Sequence, residues 1–332
     1  MNNNNQHVLL EVNRWLRDGH SVWLGTVVKT WGSSPRPVGS LMACVPGVGL
    51  CGSLSGGCIE EYLLEQLTES SLQRRAPLLK NFGGTEAEQE QFQLPCGGQL
   101  LVCLEYLEPD VEVINHFRDL LQYVSQRETV TRTVGINDGA LTLERGSGLQ
   151  ELQLDDQRLS HPLTPDWRML LTGCGEVTRC VAELAMALEF SVTICDFRSS
   201  FTEGWTMPGT ELYTGFPDDL IRQGFSDRHC AIITLAHDPR VDDMALMAAL
   251  DTEAFYVGAM GSSRTSQKRR ERLRQLDIPD SQIDQLHAPA GYATGSKTPW
   301  EIAISVMAEV IAERKKAVLQ QSACHHGQPH AA

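Results

Sequence analysis

The run from Arg168 to Asp196 constrains this chain most. Met169-Leu170-Leu171-Thr172 has the apolar character of a buried strand, and Gly173-Cys174-Gly175-Glu176-Val177-Thr178 follows as a glycine turn. A helix then reaches about Glu189, and the strand 191–195 ends at Asp196. Strand, glycine turn, helix, strand and acid is the order of a nucleotide-binding βαβ unit. Backbone N–H groups at Gly173 and Gly175 would approach a phosphate, and Asp196 stands where an acid holds a ribose. Thr178 occupies the place of the third fingerprint glycine. The pattern therefore specifies the fold more firmly than it specifies a bound nucleotide.

The alternation continues downstream. A buried strand over 230–235 ends in Ala236-His237-Asp238-Pro239-Arg240 and precedes a helix over 241–250. The strand 255–257 ends in Gly258-Ala259-Met260-Gly261-Ser262-Ser263-Arg264-Thr265. Loops after the carboxyl ends of parallel strands form the ligand crevice. The Gly173 turn, His237, Asp238 and the Gly258, Gly261, Ser262, Arg264 loop are expected to meet there. His237 alone reads as a helix-capping histidine; its neighbours Asp238, Arg240 and Asp242 turn the reading towards function. The helix 264–276 carries Arg264, Lys268, Arg269, Arg270, Arg272 and Arg274. It reads as a solvated basic face, with Arg264 alone assigned to a ligand. A last helix starts at Thr298-Pro299, and residues 319–332 read as a disordered tail.

The first half shows a different alternation. It holds an amphipathic helix over 7–18, an apolar strand over 22–30 and a polar loop containing Ser34 and Arg36. A hairpin follows, with strands 41–45 and 48–52 joined by Pro46-Gly47. Cys51-Gly52-Ser53-Leu54-Ser55-Gly56-Gly57-Cys58 then leads into a helix over 58–69, for which Ser55 is a reasonable cap. A thiol in the first turn of a helix lies at the positive end of its dipole, which favours thiolate. Leu94-Pro95-Cys96-Gly97-Gly98 repeats the pairing of thiol and glycines after a polar loop over 81–93. Either loop by itself reads as a turn with a buried cysteine. Two such loops in one domain, each offering a sulfur and free backbone N–H groups, suit a soft or anionic ligand equally well. A strand over 99–107, a helix over 111–127, strands over 129–136 and 140–144, and a polar connector over 146–165 complete this half.

The expected architecture is therefore α/β: a small N-terminal α/β domain (1–110), a helix, hairpin and connector (111–165), a C-terminal Rossmann-like parallel-sheet domain (166–318) and the tail. A net charge of −14 argues against nucleic acid and anionic membranes as main partners. No apolar run is long enough for a membrane helix, and Met1-Asn2-Asn3-Asn4-Asn5-Gln6 lacks the features of a signal peptide. The ten cysteines are scattered without a CxxC pair, as expected of a reduced, cytoplasmic protein.

The chain resembles the xanthine dehydrogenase accessory factors, the XdhC/CoxI family. The matching stretches are Thr30-Trp31-Gly32-Ser33-Ser34-Pro35-Arg36-Pro37, Gly52 to Glu60, and Leu94-Pro95-Cys96-Gly97-Gly98. In the second half they are His237-Asp238-Pro239, Gly258-Ala259-Met260-Gly261-Ser262, His287-Ala288-Pro289 and Thr298-Pro299-Trp300-Glu301-Ile302-Ala303. The resemblance implies a homodimeric chaperone of the molybdenum cofactor, in its molybdopterin or a dinucleotide form. Such a chaperone keeps the cofactor ready for sulfuration by a cysteine desulfurase and delivers it to a xanthine dehydrogenase-type hydroxylase. A cofactor-synthesis or nucleotidyltransferase protein is a further implied partner.

On that resemblance Ser34, Arg36, Gly56, Gly57, Cys58, Cys96 and Gly97 become candidate cofactor-binding residues, beside Gly173, Gly175, Asp196, His237, Asp238, Gly258, Gly261, Ser262 and Arg264. Cys58 or Cys96 is the candidate ligand to molybdenum, thiolate being a soft donor. Glu176 departs from the family's usual histidine, and a carboxylate beside a phosphate is unhelpful. The competing reading is an NAD(P)-dependent oxidoreductase with His237 as acid/base and Asp196 on the ribose. A protein-interaction scaffold, or persulfide transfer through Cys58 or Cys96, are further readings.

Overall fold

The structure, a computed structural model, describes residues 3–32, 36–67, 75–84, 98–146, 151–295 and 297–325. The chain divides into two compact units, Met1–Pro165 and Asp166–Ala332.

The first unit is organised on β1 (Val22–Trp31), the centre of an antiparallel sheet in the order β3-β2-β1-β5-β4. Its other strands are β2 (Leu41–Val45), β3 (Gly49–Gly52), β4 (Leu78–Phe82) and β5 (Gln99–Leu107). Every residue of β2 is buried because the sheet is covered on both faces. Leu41, Ala43 and Val45 join the core under α1 (Asn3–Arg17) with Val8, Val12 and Trp15. Met42 and Cys44 alternate to the opposite face, under Ile59 and Leu63 of α2 (Cys58–Gln66).

A second antiparallel sheet, β7-β6-β9-β8, belongs to the same unit. It is built from β6 (Val130–Gly135), β7 (Leu141–Arg145), β8 (Gln153–Leu154) and β9 (Arg158–Leu163), next to α3 (Val111–Ser125). This corrects the reading of 146–165 as a connector. β9 pairs with β6 from Val130↔Leu163 to Gly135↔Arg158, burying Leu159, His161 and Leu163. Polar Ser160, His161 and Pro162 within six residues hid the alternation. Likewise β4 takes up Asn81 and Phe82, the start of the expected polar loop.

The second unit is a parallel six-stranded sheet in the order β12-β11-β10-β13-β14-β15. The strands are β10 (Arg168–Thr172), β11 (Ser191–Cys195), β12 (Thr210–Tyr213), β13 (Cys230–Thr234), β14 (Tyr256–Ala259) and β15 (Leu286–His287). Around them lie α4 (Glu176–Ala187), α5 (Ser199–Thr202), α6 (Pro217–Gly224), α7 (Pro239–Ala249), α8 (Ser263–Gln275), α9 (Asp280–Ile283) and α10 (Pro299–His325). The central strands are apolar throughout because both faces are covered. Met169, Leu171, Ala231 and Ile233 pack with residues of α4 and α10. Leu170, Cys230 and Ile232 pack on the other face with residues of α6, α7 and α8. The strand order reverses between β10 and β13, which is the switch point where such sheets open a crevice.

α10 reaches His325, past residue 319 where the sequence predicts a tail. Neither glycine nor proline intervenes before Gly327, and Ala, Leu and Gln favour helix. Among the described residues no helix is long and apolar enough to cross a membrane.

Candidate functional site

At the first turn of the parallel sheet, Gly173 adopts φ +93°, and a Cβ there would lie 2.5 Å from the Cα of Ala236. Only glycine fits. Thr178 is fully buried and its hydroxyl donates to the carbonyl of Gly173 at 2.7 Å. The residue that replaces the third fingerprint glycine thus closes the turn by a hydrogen bond. Asp196 is also fully buried. It accepts the Cys174 N–H at 2.9 Å and a two-pronged ion pair from Arg198, at 2.9 and 2.7 Å. Arg198 extends to Asp238 at 3.8 Å. Burial opposes ionisation of Asp196, but these donors outweigh it and hold its pKa down. Both of its oxygens are occupied from within the chain, so a ribose would have to displace Arg198. Burial, with Asp196 adding to it, pushes the Cys174 thiol up to about 11, which disfavours the thiolate.

The large opening lies further along the sheet. A cavity of about 1070 Å³ is lined by His237 and Pro239 after β13, by residues 260–265 after β14 and by residues 289–295 after β15. It brings together His237, Gly261, Ser262 and Arg264. Gly173, Gly175, Asp196 and Asp238 are not among its lining residues. Gly258 is not either: it sits inside β14, where a Cβ would strike the Tyr256 ring at 2.5 Å. Its role is packing, and the loop begins two residues later. Asp238 instead caps α7 and is paired with Arg240 at 2.7 Å, which holds its carboxyl down to about 2. His237 is exposed and takes φ +56°, a left-handed conformation uncommon outside glycine.

The cavity wall at 289–291 is anchored by Glu309 of α10. It accepts Gly291 N–H at 2.7 Å, the Tyr256 hydroxyl at 2.6 Å and lies 3.1 Å from His287 Nδ1. Burial would raise its pKa; these partners outweigh it and lower it to about 2. Sequence reasoning missed this anchor, although His287-Ala288-Pro289 marks its place in the chain.

The basic helix α8 is solvated along much of its length, with Arg264, Lys268 and Arg274 exposed, but several of its cations are held from within the chain. Arg269 is 3% exposed, bonded to Asp242 at 3.2 Å and to the Met260 carbonyl at 3.1 Å. Arg272 pairs with Asp243 at 2.6 Å and Arg274 with Asp280 at 2.7 Å. Arg270 holds the carbonyls of Ile283 and Leu286, both at 2.6 Å. Burial pushes Asp242 up to about 6 against the pull of Arg269. Arg264 and Lys268, one turn apart and exposed, remain at the cavity. Lys268 was not singled out from the sequence; its spacing of four from Arg264 was the available signal.

In the first unit, Gly52 takes φ +81°, and the loop after it folds around one carboxylate. Glu60 accepts the N–H groups of Leu54, Ser55 and Gly57 at 2.7, 2.9 and 3.0 Å, and the Ser53 hydroxyl at 2.7 Å. Ser55 Oγ also donates to it. The backbone N–H groups expected to be free for a ligand are therefore largely taken by Glu60. Burial would raise its pKa, but the donors lower it to about 2. The helix cap is Gly57, φ +133°, while the Ser55 hydroxyl accepts the Ile59 N–H at 3.0 Å. Gly56 and Gly57 are exposed, and Arg36 is half-buried in the loop before β2. Cys58 opens α2; its side chain, and all of Ser34, Cys96 and Gly97, lie outside the described residues.

A parallel sheet in this order, with its cavity beyond the strand carboxyl ends, defines a Rossmann-type domain following a small antiparallel α/β unit. The model of the XdhC Rossmann domain matches residues 169–310, and that of the XdhC and CoxI family matches residues 15–83. The chain belongs to the XdhC and CoxI family. A protein of Bacillus subtilis (strain 168) named as a probable xanthine dehydrogenase component is 25% identical over 94% of this chain and 98% of its own length. The molybdenum cofactor insertion chaperone PaoD of Escherichia coli (strain K12) is 26% identical over 90% of this chain and 85% of its own. A crystal structure named as a xanthine dehydrogenase from Bacillus halodurans shares the fold, with a TM-score of 0.69 at 23% identity over 93% of this chain and 96% of that one.

Proposed function

We propose that the protein is a molybdenum cofactor insertion chaperone serving a xanthine dehydrogenase-type hydroxylase. The observation that carries this is the similarity to PaoD, which extends over 90% of the chain and so takes in both units. The cargo is the molybdopterin cofactor or a dinucleotide form of it. The thiol of Cys58 or Cys96 is the soft donor for its metal centre. The protein holds the cargo for sulfuration by a cysteine desulfurase, receives it from a cofactor-synthesis or nucleotidyltransferase protein, and acts as a cytoplasmic homodimer. The cationic cavity of the second unit supports this reading, because the cargo is an organic phosphate. Nicotinamide-dependent oxidation is not favoured: Asp196 is sealed by Arg198, and Glu176 places a carboxylate at the start of α4.

The test is to purify the full chain without air from cells that make the cofactor. Molybdenum and oxidised-pterin fluorescence are then measured per chain for the wild type, Cys58→Ala and Cys96→Ala. Near-stoichiometric pterin in the wild type, lost in one cysteine variant, is expected. A wild type that carries no pterin but a bound nicotinamide would sink the reading.

A further inference from the structure

We infer that the second unit binds a phosphate group at the start of α8, between Gly261 and Lys268, and not at the Gly173 turn. This deepens the chaperone reading, whose cargo carries a phosphate, but its test uses inorganic anions and does not need the cargo.

Three observations exclude the usual place. The Cys174 N–H, which a phosphate at the first turn would use, already donates to Asp196. Asp196 is neutralised by Arg198, and the nearby Arg179 is engaged by the Thr206 carbonyl and the Trp205 ring. Glu176 then adds a negative charge at the first position of α4, where an anionic ligand would have to sit.

The loop after β14 has the opposite character. Gly261 takes φ +157° and leads directly into α8, a helix of thirteen residues without an acid in its first turn. Ser262 Oγ caps Thr265 N–H at 3.1 Å, so the cap leaves earlier N–H groups of the first turn without intrahelical partners. Arg264 sits in that same first turn, where the helix dipole disfavours a cation. Lys268 follows at i+4, and like charges at that spacing repel. Among the described residues neither has a hydrogen bond or ion pair, whereas Arg269, Arg270, Arg272 and Arg274 of the same helix all have partners. Both unpaired cations line the cavity of about 1070 Å³.

Arg269 also borders the cavity. It is 3% exposed and ion-paired with Asp242 at 3.2 Å and Asp243 at 3.6 Å, while its buried Nε makes no hydrogen bond. The arrangement costs stability until an anion arrives, and a phosphate offers the several acceptor oxygens that converging cations and N–H groups require. The apolar wall of Met260, Pro289 and Ile302, with exposed Tyr292, leaves room for the organic body of the ligand. Phosphate monoester and diphosphate share this chemistry.

The test is isothermal titration calorimetry of the full chain with inorganic phosphate and with pyrophosphate, at low ionic strength. Arg264→Gln and Lys268→Gln are each expected to weaken binding about tenfold, and the pair to abolish it. Arg274→Gln, the same charge change on the same helix, is expected to stay within about twofold of the wild type. Similar affinities for the two anions would mark a monoester ligand, and a clear preference for pyrophosphate a diphosphate; both support the site. Binding retained in the double variant would overturn the inference. So would equal weakening by Arg274→Gln, or no binding of either anion. A chain that binds pyrophosphate at Arg264 but carries no pterin would keep this site and remove the chaperone reading.

Discussion

The backbone N–H of Gly57 reaches Oε2 of Glu60 at 3.0 Å, three residues ahead in the chain. Through that contact and those to Leu54 and Ser55, a side chain of α2 holds the loop from which α2 itself starts. The loop that leads into α2 is thus shaped by contacts within the chain.

Replacing this carboxylate should therefore loosen the loop. Glu60→Gln is expected to cost about 2–3 kcal/mol, because buried donors are left poorly paired. Denaturant unfolding should report the loss, and hydrogen exchange should localise it to the amides of Leu54, Ser55 and Gly57. The carboxylate is held at about 2 against an ordinary 4.5, so its contribution is present above pH 4.5 and lost as pH falls towards 2. Full protection of these amides in the variant would contradict this account.

Arg132 and Glu105 form a buried bidentate pair at 2.9 and 2.7 Å in the first unit. Arg132→Met is expected to destabilise by about 3–5 kcal/mol, because Glu105 is left charged and buried. The double variant Arg132→Met/Glu105→Leu should recover most of it. Measured unfolding free energies of the two variants decide the point.

The same pair sets an acid limit. Arg132 Nε donates to His116 at 3.2 Å. Burial first, and Arg132 second, push His116 and His161 down to about 3 from 6.5. Their neutral forms belong to the fold, while the unfolded chain takes up protons below 6.5. Stability is thus full above pH 6.5 and declines as pH falls from 6.5 towards 3. His116→Leu should flatten that decline, which thermal unfolding followed across this range would detect.

The two turn glycines of the second unit should respond differently. Gly173→Ala places a Cβ 2.5 Å from Ala236 Cα at φ +93° and should cost more than about 2 kcal/mol. Gly175, at φ −143° with nothing nearer to its Cβ position than Thr178 Oγ1 at 4.0 Å, should accept alanine within about 1 kcal/mol. Unfolding free energies of both variants provide the comparison; equal losses would mean that the close approach to Ala236 is not what selects glycine.

Much of the fold was legible along the chain. The strands at 168–172 and 191–195 are largely apolar runs that end at Gly173 and Asp196, and 230–234 is an apolar run continued by Leu235; these signals are local. β9 was not legible, since Ser160, His161 and Pro162 broke the alternation and only pairing with β6 makes it a strand. For the site, the loop Gly261-Ser262-Ser263-Arg264 was legible because it follows the carboxyl end of an apolar strand, where such sheets open their crevice; its cap, Ser262, came from the structure. Asp196 was misleading: its position matches a ribose acid, but Arg198 and the Cys174 N–H enclose it.

The sequence by itself determined the order of elements, the two-part division of strand patterns and the glycine turns, because periodicity and backbone freedom act over a few residues. It also carried the family resemblance. Only the tertiary structure decided which charges are free. Arg269 and Arg272 meet Asp242 and Asp243 because α7 and α8 pack side by side, and Arg270 meets two carbonyls thirteen and sixteen residues away. Of the six cations on this helix, three meet carboxylates and Arg270 meets carbonyls of other elements, which leaves Arg264 and Lys268 facing a cavity.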